Sequence, residues 1–248
     1  MSNRPLHIFI ILMAFGLLYP PLLRSDEPDW THYASILDKH ITQQRKQGVT
    51  LAWLDYTAIK VDQDYIKSLE TLENFPVERL ASDEEKIAFY INAYNILAIK
   101  MVLDHWPVKS IKDVGSWFNP VWKKTAGTIS EKKTTLNEIE HNILRSMGEP
   151  RIHMAIVCAS LSCPDLRREP YSAANLDAQL DEQVKQFFNN QDKGLEVSKS
   201  SLRTSKILDW FSEDFGNPLE FIRKYRPEIT KNATITGYLN YNWSLNGK

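Results

Sequence analysis

The chain holds only two cysteines, Cys158 and Cys163, and both fall in the stretch His153-Met154-Ala155-Ile156-Val157-Cys158-Ala159-Ser160-Leu161-Ser162-Cys163-Pro164. An apolar run that delivers a thiol to a small-residue turn is a candidate setting for nucleophilic chemistry. The turn's backbone N–H groups favour the thiolate and are placed to hold an oxyanion. Such a thiol needs an oriented histidine as base. His153 lies five residues before Cys158, an odd offset that puts the two on opposite faces of a strand. His105 falls at a helix C-terminus, where a cation suits the dipole. His141 is better placed, because its helix directly precedes the cysteine run and consecutive elements commonly pack together. On that helix Leu136, Ile139, Ile143 and Met147 form the apolar face and Glu140 falls within it. Glu140 therefore needs a partner such as Arg145, Arg151 or Arg167, or else takes a raised pKa. His141 points away from this face, so a role in catalysis requires another segment packed over it.

Three readings of Cys158 stand side by side. As a nucleophile it takes His141 as base, Glu140 or Asn92 to orient the base, and turn N–H groups as oxyanion donors. As half of a Cys158–Cys163 disulfide it staples the loop, provided the Cα atoms lie within about 7 Å. As a buried thiol it is inert. Ser160 and Ser162 of the same turn are candidate binding residues. Two cysteines and one distant histidine do not make a zinc set. No Gly-rich phosphate loop, serine elbow or helical His-Glu-x-x-His is present, so the expectation is no metal and no cofactor.

The elements that must position these residues begin with a central helix. Ser82 and Glu85 form a capping box, and the helix it opens runs to about His105. Its apolar residues, from Ile87 through Leu103, fall on every side, which predicts burial in a core. Asn92 and Asn95 share one side of it. As buried amides they need defined partners, either to tie down a loop or to contact a reacting group. Trp106, Trp117, Phe118 and Trp122 crowd the irregular segment that follows and either line a groove or pack on the core. A second capping box, Thr135 with Glu138, opens a helix from Leu136 to about Ser146. Arg151 to Cys158 reads as a buried strand. Further helices are expected over 29–47, 62–72, 175–189, 207–215 and 219–225. A turn between short strands is expected at Thr128 to Lys133, and short strands around 195–197 and 202–204, with an extended tail over 233–243. The sum is α+β, mostly helical with a small sheet and one buried helix at about 83–105.

Composition narrows the setting. With 43% hydrophobic and 25% charged residues the chain belongs with ordinary globular proteins. A net charge of -1 offers no basic excess for nucleic acid. Arg4 precedes an uncharged apolar run, Leu6 to Leu18, which Tyr19, Pro20 and Pro21 break. Residues 1–25 therefore read as a signal peptide or an uncleaved anchor, with membrane association confined to them. Ser25 suits the position before a cut, whereas Leu23 stands where a small residue is wanted. The expectation is a periplasmic or extracellular protein with one globular domain over 26–248.

Several linked words resemble the domain-of-unknown-function family 547. They are Phe89-Tyr90-Ile91-Asn92-Ala93-Tyr94-Asn95, Trp106-Pro107-Val108-Lys109-Ser110-Ile111, Glu138-Ile139-Glu140-His141-Asn142-Ile143-Leu144-Arg145, Pro150-Arg151-Ile152-His153-Met154-Ala155 and Cys158-Ala159-Ser160-Leu161-Ser162-Cys163-Pro164. The resemblance covers about Asp83 to Asn190, continues more weakly through Ser205-Lys206-Ile207 and Asp214-Phe215 to the end, and implies an uncharacterised domain, often exported in bacteria, without an established activity. A core helix beside a Cys and His pair is also similar to papain- and transglutaminase-like architecture. In papain-like enzymes the thiol usually starts the helix, whereas here Cys158 follows the predicted strand. Two functional expectations result. One is a thiol-dependent hydrolase or acyl-transferase acting on amide or ester bonds. The other is a non-catalytic envelope binding or scaffold domain, fixed by the disulfide and taking a peptide, ester or glycan through residues such as Trp117 and Trp122.

Overall fold

Residues 27–248 are described by a computed structural model, and the expected signal or anchor at 1–25 lies outside them. Helix α1 (Thr31–His40) is followed by a hairpin of β1 (Ile41–Lys46) and β2 (Val49–Leu54). This corrects the single helix expected over 29–47. Ile41 and Thr42 are β-branched and pair with Leu54 and Trp53. Gln47 at φ 49° and Gly48 at φ 83° supply the left-handed pair that a two-residue hairpin turn requires. The pairing strand lies downstream of the helical-looking segment, so local periodicity did not reveal it. A short helix α2 (Tyr56–Ile59) leads into α3 (Gln63–Asn74), whose first turn is capped by Asp62.

Helix α4 (Asp83–Leu103) is the centre of the fold. Ser82 Oγ accepts from Glu85 N at 3.1 Å, and Glu85 Oε2 accepts from Ser82 N at 3.1 Å, as the capping box requires. It is long and apolar enough to cross a membrane, yet 83% of its most apolar window is buried inside the protein, which makes it a core helix. Phe89 packs against Trp30 and Phe75, with ring centroids at 5.8 and 5.3 Å. Strands β3 (Thr125–Ile129) and β4 (Lys132–Thr135) form an antiparallel hairpin after the aromatic segment.

The helix after β4 opens as expected at Thr135, whose Oγ1 accepts from Glu138 N at 3.0 Å. It then widens into a π-helix over Glu138–Leu144. The wider turn corrects the apolar face: Leu136, Ile139 and Leu144 are fully buried, while Ile143 is only half-buried. A step of five residues from Ile139 to Leu144 is the spacing of a π turn.

The strand expected over 151–158 is absent. Pro150–Met154 is a 3-10 helix, with Pro150 at its start and Glu149 accepting from Arg151 N at 3.0 Å. The backbone beyond it bonds to Asn95 rather than to a neighbouring strand. A continuous apolar run reads the same in a buried strand and in a buried turn of helix.

Helix α5 (Leu176–Asn189) packs against the 3-10 turn. The last sheet orders β5 (Leu195–Ser198), β6 (Ser201–Thr204) and β7 (Thr234–Tyr238), with β6 and β7 parallel. Helices α6 (Ile207–Trp210) and α7 (Pro218–Tyr225) lie in the connection between β6 and β7. Val184, Phe187 and Phe188 of α5 join Leu202, Ile207, Leu208 and Ile222 in a second core. Of the described residues about 48% are helical and 17% strand, so the fold is α+β with helix predominant.

Residues 239–248 then tie two distant regions together. Leu54 N donates to Asn246 O at 3.0 Å, and Leu161 N donates to Ser244 O at 2.8 Å.

Candidate functional site

A cavity of about 280 Å³ opens where α4, the π-helix, the cysteine loop, α6 and the tail meet. Aromatic rings line much of one side: Trp122, Trp210, Phe211, Tyr241 and Trp243. Trp210 stacks on Trp243 at 5.8 Å, and Tyr241 packs against both, at 4.8 Å from Trp210 and 4.6 Å from Trp243.

Glu140 supplies a carboxyl to this apolar space. The π turn carries it to Tyr94 of α4, whose hydroxyl lies 3.2 Å from Glu140 Oε2. Burial pushes the carboxyl up to about 7, against the opposing effects of the Tyr94 hydrogen bond and the Arg145 charge. None of the three arginines considered from the sequence makes a direct pair with it.

Arg145 forks instead onto Asp214, with Nε to Oδ2 at 2.6 Å and Nη2 to Oδ1 at 2.7 Å. Its remaining arm, Nη1, lies 2.9 Å from His141 Nδ1. A guanidinium can only donate, so His141 Nδ1 accepts and the ring's proton sits on Nε2. Burial, assisted by the Arg145 charge, lowers the His141 pKa. A histidine held in this tautomer offers the cavity a donor rather than a base.

His153 is 2% exposed and also lines the cavity, which corrects its placement on the face opposite Cys158. That placement assumed a strand, and no strand forms. Its Nε2 bonds Asp214 Oδ2 at 2.7 Å, and its ring stacks on Phe211 at 4.1 Å. Burial outweighs the Asp214 bond and pushes His153 down to about 4. Arg145 and, more weakly, His153 hold Asp214 at about 2.

Cys158 and Cys163 are joined, with S–S at 2.05 Å and Cα atoms 6.1 Å apart. This settles the choice among the three readings of Cys158, and among the described residues no cysteine is free. Cys158 is partly exposed toward the cavity, whereas Cys163 is 2% exposed. Tyr241 Oη stands 3.2 Å from each sulfur and accepts from Ser160 Oγ at 3.2 Å, so its own proton is directed at the bridge. One of the expected oxyanion donors in the Ala159-Ser160-Leu161 turn is already engaged, and so is the N–H of Cys158 itself. Leu161 N bonds Ser244 O, and Cys158 N donates to Cys163 Sγ at 3.0 Å.

The remaining candidates divide. Asn92 lies away from the cavity and clamps Tyr171 through its O and N at 2.8 and 2.9 Å, so it ties down a loop. Asn95 takes Ala155 O at 3.0 Å and Val157 N at 2.8 Å, which fixes the turn presenting Cys158. Ser162 Oγ accepts from Asn242 N at 2.9 Å and anchors the tail. Trp122 lines the cavity, while Trp117 is 93% exposed and stands apart from it. Asp214, Phe211, Trp210, Tyr241 and Trp243 were not identified from sequence. Among the described residues no group of three acidic, histidine or cysteine side chains is placed to hold a metal ion.

Residues 77–188 match the family described as protein of unknown function, DUF547. The DUF547 segment contains α4, the π-helix, the cysteine loop and nearly all of α5. It therefore supplies Tyr94, Glu140, His141, His153 and both cysteines, in agreement with the resemblance read from the linked words. The aromatic wall from Trp210 to Trp243 and the Asp214 carboxylate come from residues beyond the DUF547 match. No curated protein and no solved structure matches the chain.

Proposed function

We propose that this chain is an exported binding domain, with residues 1–25 serving as secretory signal or membrane anchor. Its aromatic cavity takes the flat face of one peptide side chain or one sugar ring. The observation that carries this reading is the wall of Trp122, Trp210, Tyr241 and Trp243 around a single half-buried carboxyl, Glu140. Aromatic walls with one placed polar group are the usual make-up of a small-ligand site. A volume of about 280 Å³ is at the small end of such sites, about 300–1,000 Å³, which favours one ring over an extended polymer. Glu140 donates a hydrogen bond to the ligand's polar edge while protonated and accepts one when ionised.

The test is an NMR titration of the Trp122, Trp210 and Trp243 indole N–H signals with N-acetyl-phenylalaninamide and with methyl glucoside as probes. Saturable shifts with at least one probe, lost in Trp210→Ala, are expected. Unmoved indoles with both probes overturn the reading. For export, fractionation of bacteria expressing the full chain is expected to place it outside the cytoplasmic membrane, and recovery in the cytosol refutes that part.

A second reading has one observation in its favour: Cys158, His141 and Glu140 line the same cavity. In reduced protein Cys158 would then attack an amide or ester carbonyl, as in a thiol hydrolase or acyl-transferase. Iodoacetamide labelling of reduced, folded protein tests it. Labelling of Cys158 no faster than a free thiol removes the reading.

A further inference from the structure

The bridge lies at the cavity wall and its two halves differ. Cys158 is partly exposed and Cys163 is 2% exposed, so an incoming thiol reaches Cys158 Sγ first. Cys163 Sγ alone receives a backbone donor, Cys158 N–H at 3.0 Å, beside the Tyr241 hydroxyl that stands 3.2 Å from both sulfurs, whereas Cys158 Sγ has only hydroxyls near it, Tyr241 and Ser160 Oγ at 3.4 Å. Those donors would hold a thiolate on Cys163, and a stabilised thiolate is a better leaving group. The loop also does not depend on the bridge for its shape. Leu161 N to Ser244 O, Cys163 N to Ser160 O and Asn246 N to Ala159 O pin its backbone, and Asn242 N on Ser162 Oγ adds a further bond. With the S–S bond open, both sulfurs stay near their places and can close again.

We propose that Cys158–Cys163 is an exchange-active disulfide that oxidises cysteine thiols presented on apolar peptide segments entering the aromatic cavity. The peptide's thiolate attacks Cys158 Sγ, a mixed disulfide forms, and the electron pair of the broken S–S bond leaves on Cys163. A second peptide thiolate attacks the peptide sulfur of the mixed disulfide and releases Cys158. The two protons lost by the peptide thiols end on Cys158 and Cys163. The peptide thiols lose two electrons as they join, and the bridge gains them. Tyr241 donates to the departing Cys163 sulfur, and Glu140 is near enough to Tyr241 to act on it electrostatically. The inference rests on the cavity admitting an apolar segment, as in the binding reading, but exchange needs only a passing encounter and not a retained ligand.

The experiment uses the oxidised protein with N-acetyl-Phe-Cys-amide as probe, followed by acid quench and mass mapping. Opening at least tenfold faster than oxidised glutathione under the same thiol is expected, with the probe trapped on Cys158. Tyr241→Phe is expected to slow opening by about tenfold, the loss of one hydrogen bond to a developing thiolate. Urea unfolding of Tyr241→Phe, run beside it, separates a lost donor from a lost fold. Trapping on Cys163, opening no faster than oxidised glutathione, or opening only in step with global unfolding overturns the proposal. Because these readouts follow sulfur and the indole titration follows ligand, either proposal can fail alone.

Discussion

Replacing Glu140 by glutamine is expected to make stability less sensitive to pH, and the size follows from the cavity. The native carboxyl titrates at about 7 against an ordinary 4.5, chiefly because burial penalises its charge. Below about pH 4.5 Glu140 is neutral in both folded and unfolded chains and carries no penalty. Between 4.5 and 7 the unfolded chain gives up its proton while the folded chain keeps it, so stability falls as pH rises. Above 7 the penalty is complete. At about 1.4 kcal/mol for each tenfold change in proton affinity, it amounts to about 3 kcal/mol. Glutamine stays neutral at every pH, has nearly the same shape and still accepts from Tyr94. Urea unfolding of both proteins from pH 4.5 to 8.5, read by tryptophan fluorescence, gives the comparison. Every other ionisable group is common to both proteins and cancels to first order. Relative to wild type, Glu140→Gln should gain about 3 kcal/mol between the two ends of the series. That gain is about 6–12 °C in Tm for a domain of this size. Stability curves that run parallel across this range would show that Glu140 is solvated and that the cavity does not perturb it.

His153, pushed down to about 4 by burial, should stay neutral to well below pH 6.5. Its ring signals in NMR should titrate only in acid, where the unfolded chain takes up the proton first and stability falls. Asn92→Ala and Asn95→Ala each leave two buried backbone groups without partners. Each should lose on the order of 2 kcal/mol or more in urea unfolding, and only Asn95→Ala should disturb the indole signals around the cavity. Lys193 is 2% exposed and pairs with Asp165 at 2.7 Å. Lys193→Ala strands a buried carboxylate and should cost about 3–5 kcal/mol in the same assay. The bridge closes only a short loop, so calorimetry of the double change Cys158→Ser and Cys163→Ser should find about 2 kcal/mol lost.

What could be read from sequence was what depends on neighbours in the chain. The Ser82 and Glu85 box, the all-round apolar pattern of α4 and the short strands around 195–197 and 202–204 are local signals, and each appears where expected. β1 was missed because the helical pattern of 29–47 ends in a segment whose pairing partner, β2, follows Gly48. The run before Cys158 was misread because burial on all sides erases the alternation that separates strand from helix. Of the site, Glu140 was legible as an apolar-face carboxylate with a raised pKa. Cys158, His141 and Trp122 were also named and line the cavity, whereas its remaining wall was not legible. Tyr241 and Trp243 arrive from a tail whose position is set by bonds to Ser160–Ser162 and Leu54, and Asp214 meets Arg145 across 69 residues of chain. The π turn, which moves Leu144 into the core in place of Ile143, leaves no mark in an ordinary helical periodicity.

The tail carries Tyr241 and Trp243 in the cavity wall and also holds the backbone of Ser160–Ser162 beside the sulfurs. Whatever settles among those rings therefore pulls on the same peptide that frames the bridge. Thermodynamic linkage makes that relation reciprocal: if opening the bridge alters affinity for an occupant, the occupant alters the midpoint of the bridge to an equal degree. A tenfold change in affinity would correspond to about 30 mV for a two-electron couple, so an occupant's identity would be legible in the voltage at which the sulfurs part.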